Sequence, residues 1–150
     1  MVMRATLCFA LSGLAATATA QSAPAPESWM PISRTAQTIT GRVTFAAPEI
    51  KFQNGKLLSL APGGQMLFRP EPKKKKAMAV LFKVTSPDNP LLENGNTLCK
   101  GKPVAYLLVW KPERTGNEAD PRTLAPFSGP RFMAGSPDDC GRYIYDAGKH

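Results

Sequence analysis

Histidine is almost absent from this chain: the only one is His150, the last residue. That excludes Ser-His-Asp and Cys-His constellations and multi-histidine metal sites, all of which need an imidazole fixed by its surroundings. Cysteine is scarce too. Cys8, Cys99 and Cys140 are the whole set, and no two have the short spacing of a redox or zinc motif. GxSxG, P-loop and GxGxxG patterns are missing, which removes the usual signals for acyl transfer and nucleotide binding. No apolar run approaches the ~20 residues that a membrane-spanning helix needs. Acidic residues are outnumbered, 11 against 19 Lys and Arg, for a net charge of +8. On these absences the expectation is a protein that is not an enzyme, with no catalytic residues, no metal and no cofactor.

What is present begins with an address. Arg4 is followed by an apolar stretch from Ala5 to Ala16 and by Ala18-Thr19-Ala20. This is the positive, apolar and small-x-small order of a cleaved signal peptide. Cleavage is expected after Ala20, which sends the remainder to the periplasm or the medium. Cys8 lies inside the apolar stretch rather than at the cleavage point, so a lipid anchor is not expected. Arg4 is the only charge in this leader, and its loss leaves a net charge of +7. A basic excess favours anionic partners. For an exported chain these are lipid phosphates, acidic glycans or acidic proteins, not nucleic acid. The competing reading is a basic surface that only aids solubility.

Once Cys8 leaves with the signal, Cys99 and Cys140 permit a single intramolecular disulfide, and an oxidising compartment favours it. It would close a loop of 41 residues and tie the end of the chain to its middle.

The organisation expected is a leader over residues 1–20, a proline-rich extended tail over 21–35 and one β domain over 36–150. Pro24, Pro26 and Pro31 oppose a helix in the tail, where Trp29 and Met30 are placed to dock on the domain. Strands are expected at Thr38–Phe45, Glu49–Gln53 and Lys56–Leu60, the last two joined through Asn54-Gly55 with positive φ at both turn residues. Pro62-Gly63-Gly64 is expected to end that strand before a short apolar segment, Met66–Phe68. Further strands are expected at Ala77–Val84, Thr97–Lys100, Val104–Lys111, Thr123–Phe127 and Cys140–Asp146. Val104–Lys111 is apolar enough to be buried on both faces, and Pro126 puts its strand at an edge or bulge. About eight short strands without a convincing helix fit an all-β fold, a small antiparallel barrel or a two-sheet sandwich.

Few residues invite a functional reading. Arg69 and Lys73-Lys74-Lys75-Lys76 flank Pro70-Glu71-Pro72 and make a local positive field. Lysine is a hydrated point charge, so this loop suits diffuse binding of an anionic envelope component, including peripheral contact with a membrane. The same run, just before an apolar strand, also fits a gatekeeper against aggregation. Asp138-Asp139 and the Glu113, Glu118 and Asp120 group read as solvated loop charge. Phe45, Phe52, Phe82 and Phe127 read as core, as does Trp110, whose other reading is the rim of a ligand-holding barrel mouth.

Two resemblances follow from local motifs. Ser128-Gly129-Pro130-Arg131-Phe132 resembles the Ser-Gly-x-Arg-Tyr signature of bacterial periplasmic inhibitors of c-type lysozyme, with Phe132 in place of Tyr. It implies a protein partner gripped through Ser128 and Arg131. The stretch from Thr38 through Asn89–Cys99 to Cys140–Tyr143 is similar to small exported Gram-negative proteins of unassigned activity, which implies an exported location and a β fold. The sequence carries no signal for oligomeric state.

Overall fold

Glu49-Ile50-Lys51-Phe52 alternates exposed and buried residues, the period-2 pattern of a strand with one face inward. After Phe52 the chain turns on three residues. The Gly55 N–H donates to Phe52 O at 2.9 Å, and the Phe52 N–H donates to Lys56 O at 2.9 Å. Of Asn54 and Gly55 only the glycine has positive φ, at 86°. This is a three-residue hairpin loop with a left-handed glycine, not the two-residue form expected with both residues positive.

The same meander continues through the chain. The computed structural model describes residues 25–148, so the expected leader, Gln21 to Pro24 and His150 lie outside the described residues. Eight strands follow in order: β1 (Glu27–Pro31), β2 (Val43–Ala46), β3 (Glu49–Phe52), β4 (Leu57–Phe68), β5 (Ala77–Asp88), β6 (Val104–Trp110), β7 (Pro121–Phe127) and β8 (Tyr143–Asp146). Each is antiparallel to the next, and β8 returns to β1 through Met30↔Asp146 and Pro31↔Tyr145. The sheet is therefore a closed barrel rather than a sandwich. Closure removes the free edges that a chain rich in β-formers would otherwise expose.

Five further local expectations are corrected. The tail is extended, but its second half is a stave of the barrel: β1 pairs with β2 and β8, and Trp29 is buried within it. The burial of an indole outweighs the flanking prolines, which sit at or outside the strand ends. The segment expected as strand from Thr38 is helical, a π turn over Ala36–Thr40 closed by the Gly41 N–H on Ala36 O at 2.8 Å. Its threonines favour this because their hydroxyls donate backwards, Thr38 to Arg34 O at 3.0 Å and Thr40 to Ala36 O at 3.0 Å. Gly41, at φ +61° and ψ −153°, then starts the run into β2, in backbone space that essentially only glycine enters.

Pro62-Gly63-Gly64 does not end its strand. It forms a bulge between Pro62 and Gln65, and β4, 12 residues long in all, continues beside β5 to Phe68. Thr97–Lys100 is a turn rather than a strand. It is held by the Thr97 hydroxyl, which accepts from the Gly101 N–H at 2.9 Å, and by the Cys99–Cys140 disulfide. The chain there makes no ladder. The last strand also begins later than expected, at Tyr143, because Cys140 and Gly141 serve the preceding loop.

Alternation along β6 builds two cores. Leu107 faces the barrel interior with Trp29, Ile50, Phe52, Leu58, Leu124, Tyr143 and Tyr145. Leu108 faces outward into a second cluster with Phe68, Ala79, Trp110, Ala125 and Phe127. Both leucines are fully buried, as expected for a strand covered on two faces. The outer cluster is roofed by the β7–β8 loop, from which Phe132 meets Tyr106 and Phe127 edge-on at 5.1 and 5.4 Å. One end of the barrel is closed by the helical turn and the 89–103 connection. Among the described residues the other end, where β1 begins and β6 ends, is open.

Candidate functional site

The lysine run occupies the tip of the β4–β5 hairpin. Arg69 braces that tip: its Nη1 donates to Pro72 O at 3.4 Å and Lys74 O at 3.2 Å. The Lys74 N–H donates to Glu71 O at 3.1 Å. Lys73, Lys74, Lys75 and Lys76 are all exposed. The ion pairs among the described residues use Lys111, Arg122, Arg131 and Arg142, and none uses these four lysines. The tip therefore presents a shaped, uncompensated positive surface.

Beside it lies an apolar pair that sequence reading did not single out. Leu67 and Met78 stand directly opposite one another across the hairpin, 59% and 56% exposed. Their neighbours Phe68 and Ala79 point the other way, into the outer cluster. The hairpin can expose one face because its other face is already satisfied. Period-2 alternation could have flagged Met78, but not that the barrel stops short of covering it.

The second expected site behaves differently. Ser128 and Arg131 are brought together on one loop, and both are engaged by Asp138. Its main-chain carbonyl accepts from the Ser128 N–H at 2.9 Å. Its carboxylate accepts from the Arg131 N–H at 3.1 Å, Nε at 2.9 Å and Nη2 at 3.1 Å. The Arg131 guanidinium beside it holds this carboxyl below the usual range. Asp139 accepts from the Gly135 and Gly141 N–H groups and from Arg142. Burial pushes the Asp139 carboxyl up, but these hydrogen bonds outweigh it and leave the group below its ordinary value. The pair expected as solvated charge is thus mostly buried and organises the loop. The reason is that the loop's irregular backbone leaves the Arg131, Gly135 and Gly141 N–H groups without ladder partners, and the two carboxylates accept from them.

Arg142 was invisible to sequence reading. Its guanidinium lies 5.3 Å from the Phe68 ring centroid, 5.7 Å from Phe127 and 5.8 Å from Trp110. Its Nη2 also donates to Pro70 O at 3.5 Å. One cation thus pins the base of the lysine hairpin to the barrel wall through cation–π contacts.

The open end of the barrel holds an apolar cavity of about 250 Å³, lined by Trp29, Phe45, Val80, Phe82, Val109 and Arg122 among others. Trp110 packs in the outer cluster, in line with its core reading and not at the rim. A larger cleft of about 520 Å³ lies beside the disulfide, with Lys100, Lys102, Asp139 and Arg142 on its walls. Among the described residues no three His, Cys, Asp or Glu side chains gather as metal ligands, and no helix is long and apolar enough to cross a membrane. No family model matches the chain, and no curated protein or solved structure matches it either.

Proposed function

We propose that this protein is an exported, non-enzymatic β-barrel of the cell envelope that docks on anionic membrane surfaces through the tip of its β4–β5 hairpin. The observation that carries this reading is the juxtaposition of four uncompensated lysines with the exposed Leu67–Met78 pair. The lysines meet lipid phosphates while the two apolar side chains leave water for the interface. Each lysine near an anionic surface contributes about 1 kcal/mol at low salt, so four supply roughly a thousandfold in affinity. A run that served only solubility would gain nothing from bare leucine and methionine at its side. The inhibitor reading has no comparable support, since the Arg131 guanidinium is already held by Asp138.

The test is co-sedimentation with vesicles of phosphatidylglycerol and phosphatidylcholine, against phosphatidylcholine alone, across a salt series. Binding is expected only with the anionic lipid, and it falls as salt rises. Changing Lys73 to Lys76 to Gln abolishes it. Leu67→Ser with Met78→Ser weakens it but keeps its salt dependence. Absence of binding by the parent protein rules the reading out.

A further inference from the structure

The barrel mouth contains a cavity that the membrane-docking reading does not use. Its floor is aromatic. Trp29 stacks on Phe45 at 4.9 Å with planes 4° apart, and Phe82 meets Phe45 edge-on at 5.4 Å. Its walls are aliphatic: Val80 and Val109 are direct partners across β5 and β6, and Ala25, Ala46 and Ala47 complete the rim. Polar groups are few and partly engaged. Glu27 Oε2 accepts from Trp29 Nε1 at 2.9 Å. Arg122 is bound to Asp120 through Nη1 at 2.5 Å and Nη2 at 2.7 Å.

This chemistry narrows the occupant. Water needs two to four polar partners to be held in a cavity, and among the lining residues only Glu27, Arg122 and the Trp29 indole N–H offer polar side-chain atoms. A sugar, nucleotide or peptide would need free donors and acceptors as well. A planar aromatic would stack on an open ring face, but Trp29 and Phe45 cover one face of each other, and Tyr145 and Phe82 pack against them at 5.9 and 5.4 Å, which leaves less ring face than an unpaired indole offers. What remains is saturated hydrocarbon. An apolar cavity of about 150 Å³ is large enough for benzene, so about 250 Å³ accepts a longer, flexible chain. Val80 is 37% exposed and lies on the same β5 face as Met78, so an apolar strip leads out of the cavity toward the hairpin tip.

We infer that the open end of the barrel is a binding site for a single alkyl chain of an amphiphile, with the chain against Trp29, Phe82, Val80 and Val109 and the polar head at the Glu27–Arg122 rim. The chain exchanges water for the cavity walls and forms no bond to the protein. Arg122 is balanced by Asp120, so the head need not be charged.

Trp29 reports the test directly. The chain has two tryptophans, and the other is removed by Trp110→Phe in the outer cluster. That protein is titrated with ω-bromodecanol, whose bromine quenches an indole on contact. Saturable quenching of Trp29 is expected. Val109→Phe, which fills the cavity, and Val80→Asp, which charges its wall at a partly exposed position, should each raise the half-saturating concentration by about tenfold or more. Two variants are used because the larger side chain at 109 is itself capable of disturbing the fold. Replacing Lys73 to Lys76 with Gln should leave the quenching unchanged, which separates this site from vesicle docking. Quenching that is linear and unsaturable, or insensitive to both cavity variants, overturns the inference. So does stronger binding of naphthalene than of decanol, because it would show a slot for rings rather than for a chain.

Discussion

The hydroxyl groups of Thr40 and Tyr145 lie 2.6 Å apart, both fully buried, and join the helical turn to the last strand at the closed end of the barrel. Thr40 also donates to Ala36 O, so the tyrosine is the donor between them. Burial pushes the Tyr145 hydroxyl well above its ordinary pKa, and the group stays protonated. The two partners are not equivalent. Thr40→Val strands a buried hydroxyl with no other partner and should cost about 1–3 kcal/mol. Tyr145→Phe leaves Thr40 bonded to Ala36 and should cost about 1 kcal/mol or less. Urea unfolding, with unchanged m-values, measures both. Equal losses would mean that the tyrosine hydroxyl finds another partner.

The Cys99–Cys140 disulfide spans 41 residues and holds the 98–101 turn against the β7–β8 loop. Loop-closure entropy puts its stabilisation near 4 kcal/mol. Cys99→Ala with Cys140→Ala should therefore lower the unfolding free energy by about that amount, and a reducing agent should do the same to the parent. An unchanged midpoint under reduction would show that the carboxylate network holds the loop without the bridge.

Asp139 and Arg142 are 12% and 22% exposed, with a contact of 2.6 Å, and the arginine has three aromatic rings around it. A double-mutant cycle with Asp139→Asn and Arg142→Met should give a coupling of about 1 kcal/mol or more. The same cycle on Lys111 and Asp120, where the lysine is 64% exposed, should give less than about 1 kcal/mol. A reversed order would show that the rings, not the carboxylate, set the position of Arg142.

Hydrogen bonds from Arg122, then from Lys111, hold Asp120 at a pKa of about 2, below its usual 3.8. Asp138 and Asp139 are displaced the same way. A carboxyl lowered in the folded state binds fewer protons there than in the unfolded chain. Its contribution is therefore complete above the unfolded value and is lost as pH falls through the folded one. Stability should decline between about pH 4 and pH 2. Asp120→Asn should flatten part of that slope, as read from urea midpoints across pH. A parallel slope in the variant would assign the acid sensitivity to the Asp138–Asp139 loop.

The alternation of Glu49–Phe52 and of Met78–Val84, the turn at Asn54-Gly55, the two-faced burial of Val104–Trp110 and the pairing of Cys99 with Cys140 were legible because they depend on local pattern or on simple counting. The exposure of Lys73 to Lys76 was legible for the same reason. Thr38–Thr40 misled because β-branched residues also suit a helical turn when their hydroxyls find carbonyls behind them. The docking of Trp29 was legible as an exposed-looking indole in a polar tail, but a proline-rich flank does not reveal that its segment pairs as a strand of the barrel.

By itself, then, the sequence determined the all-β class, the bridge and the place of the cationic loop, since backbone period, cysteine number and charge runs are properties of neighbours along the chain. Only the tertiary structure decided that the sheet closes between β1 and β8 and that Arg131 is held by Asp138 while the lysines keep no counter-ion. It alone decided that Leu67 and Met78 stay bare beside those lysines and that Trp29, not Trp110, floors the open mouth. These depend on which distant segments meet, and burial and ion pairing are settled only at that meeting.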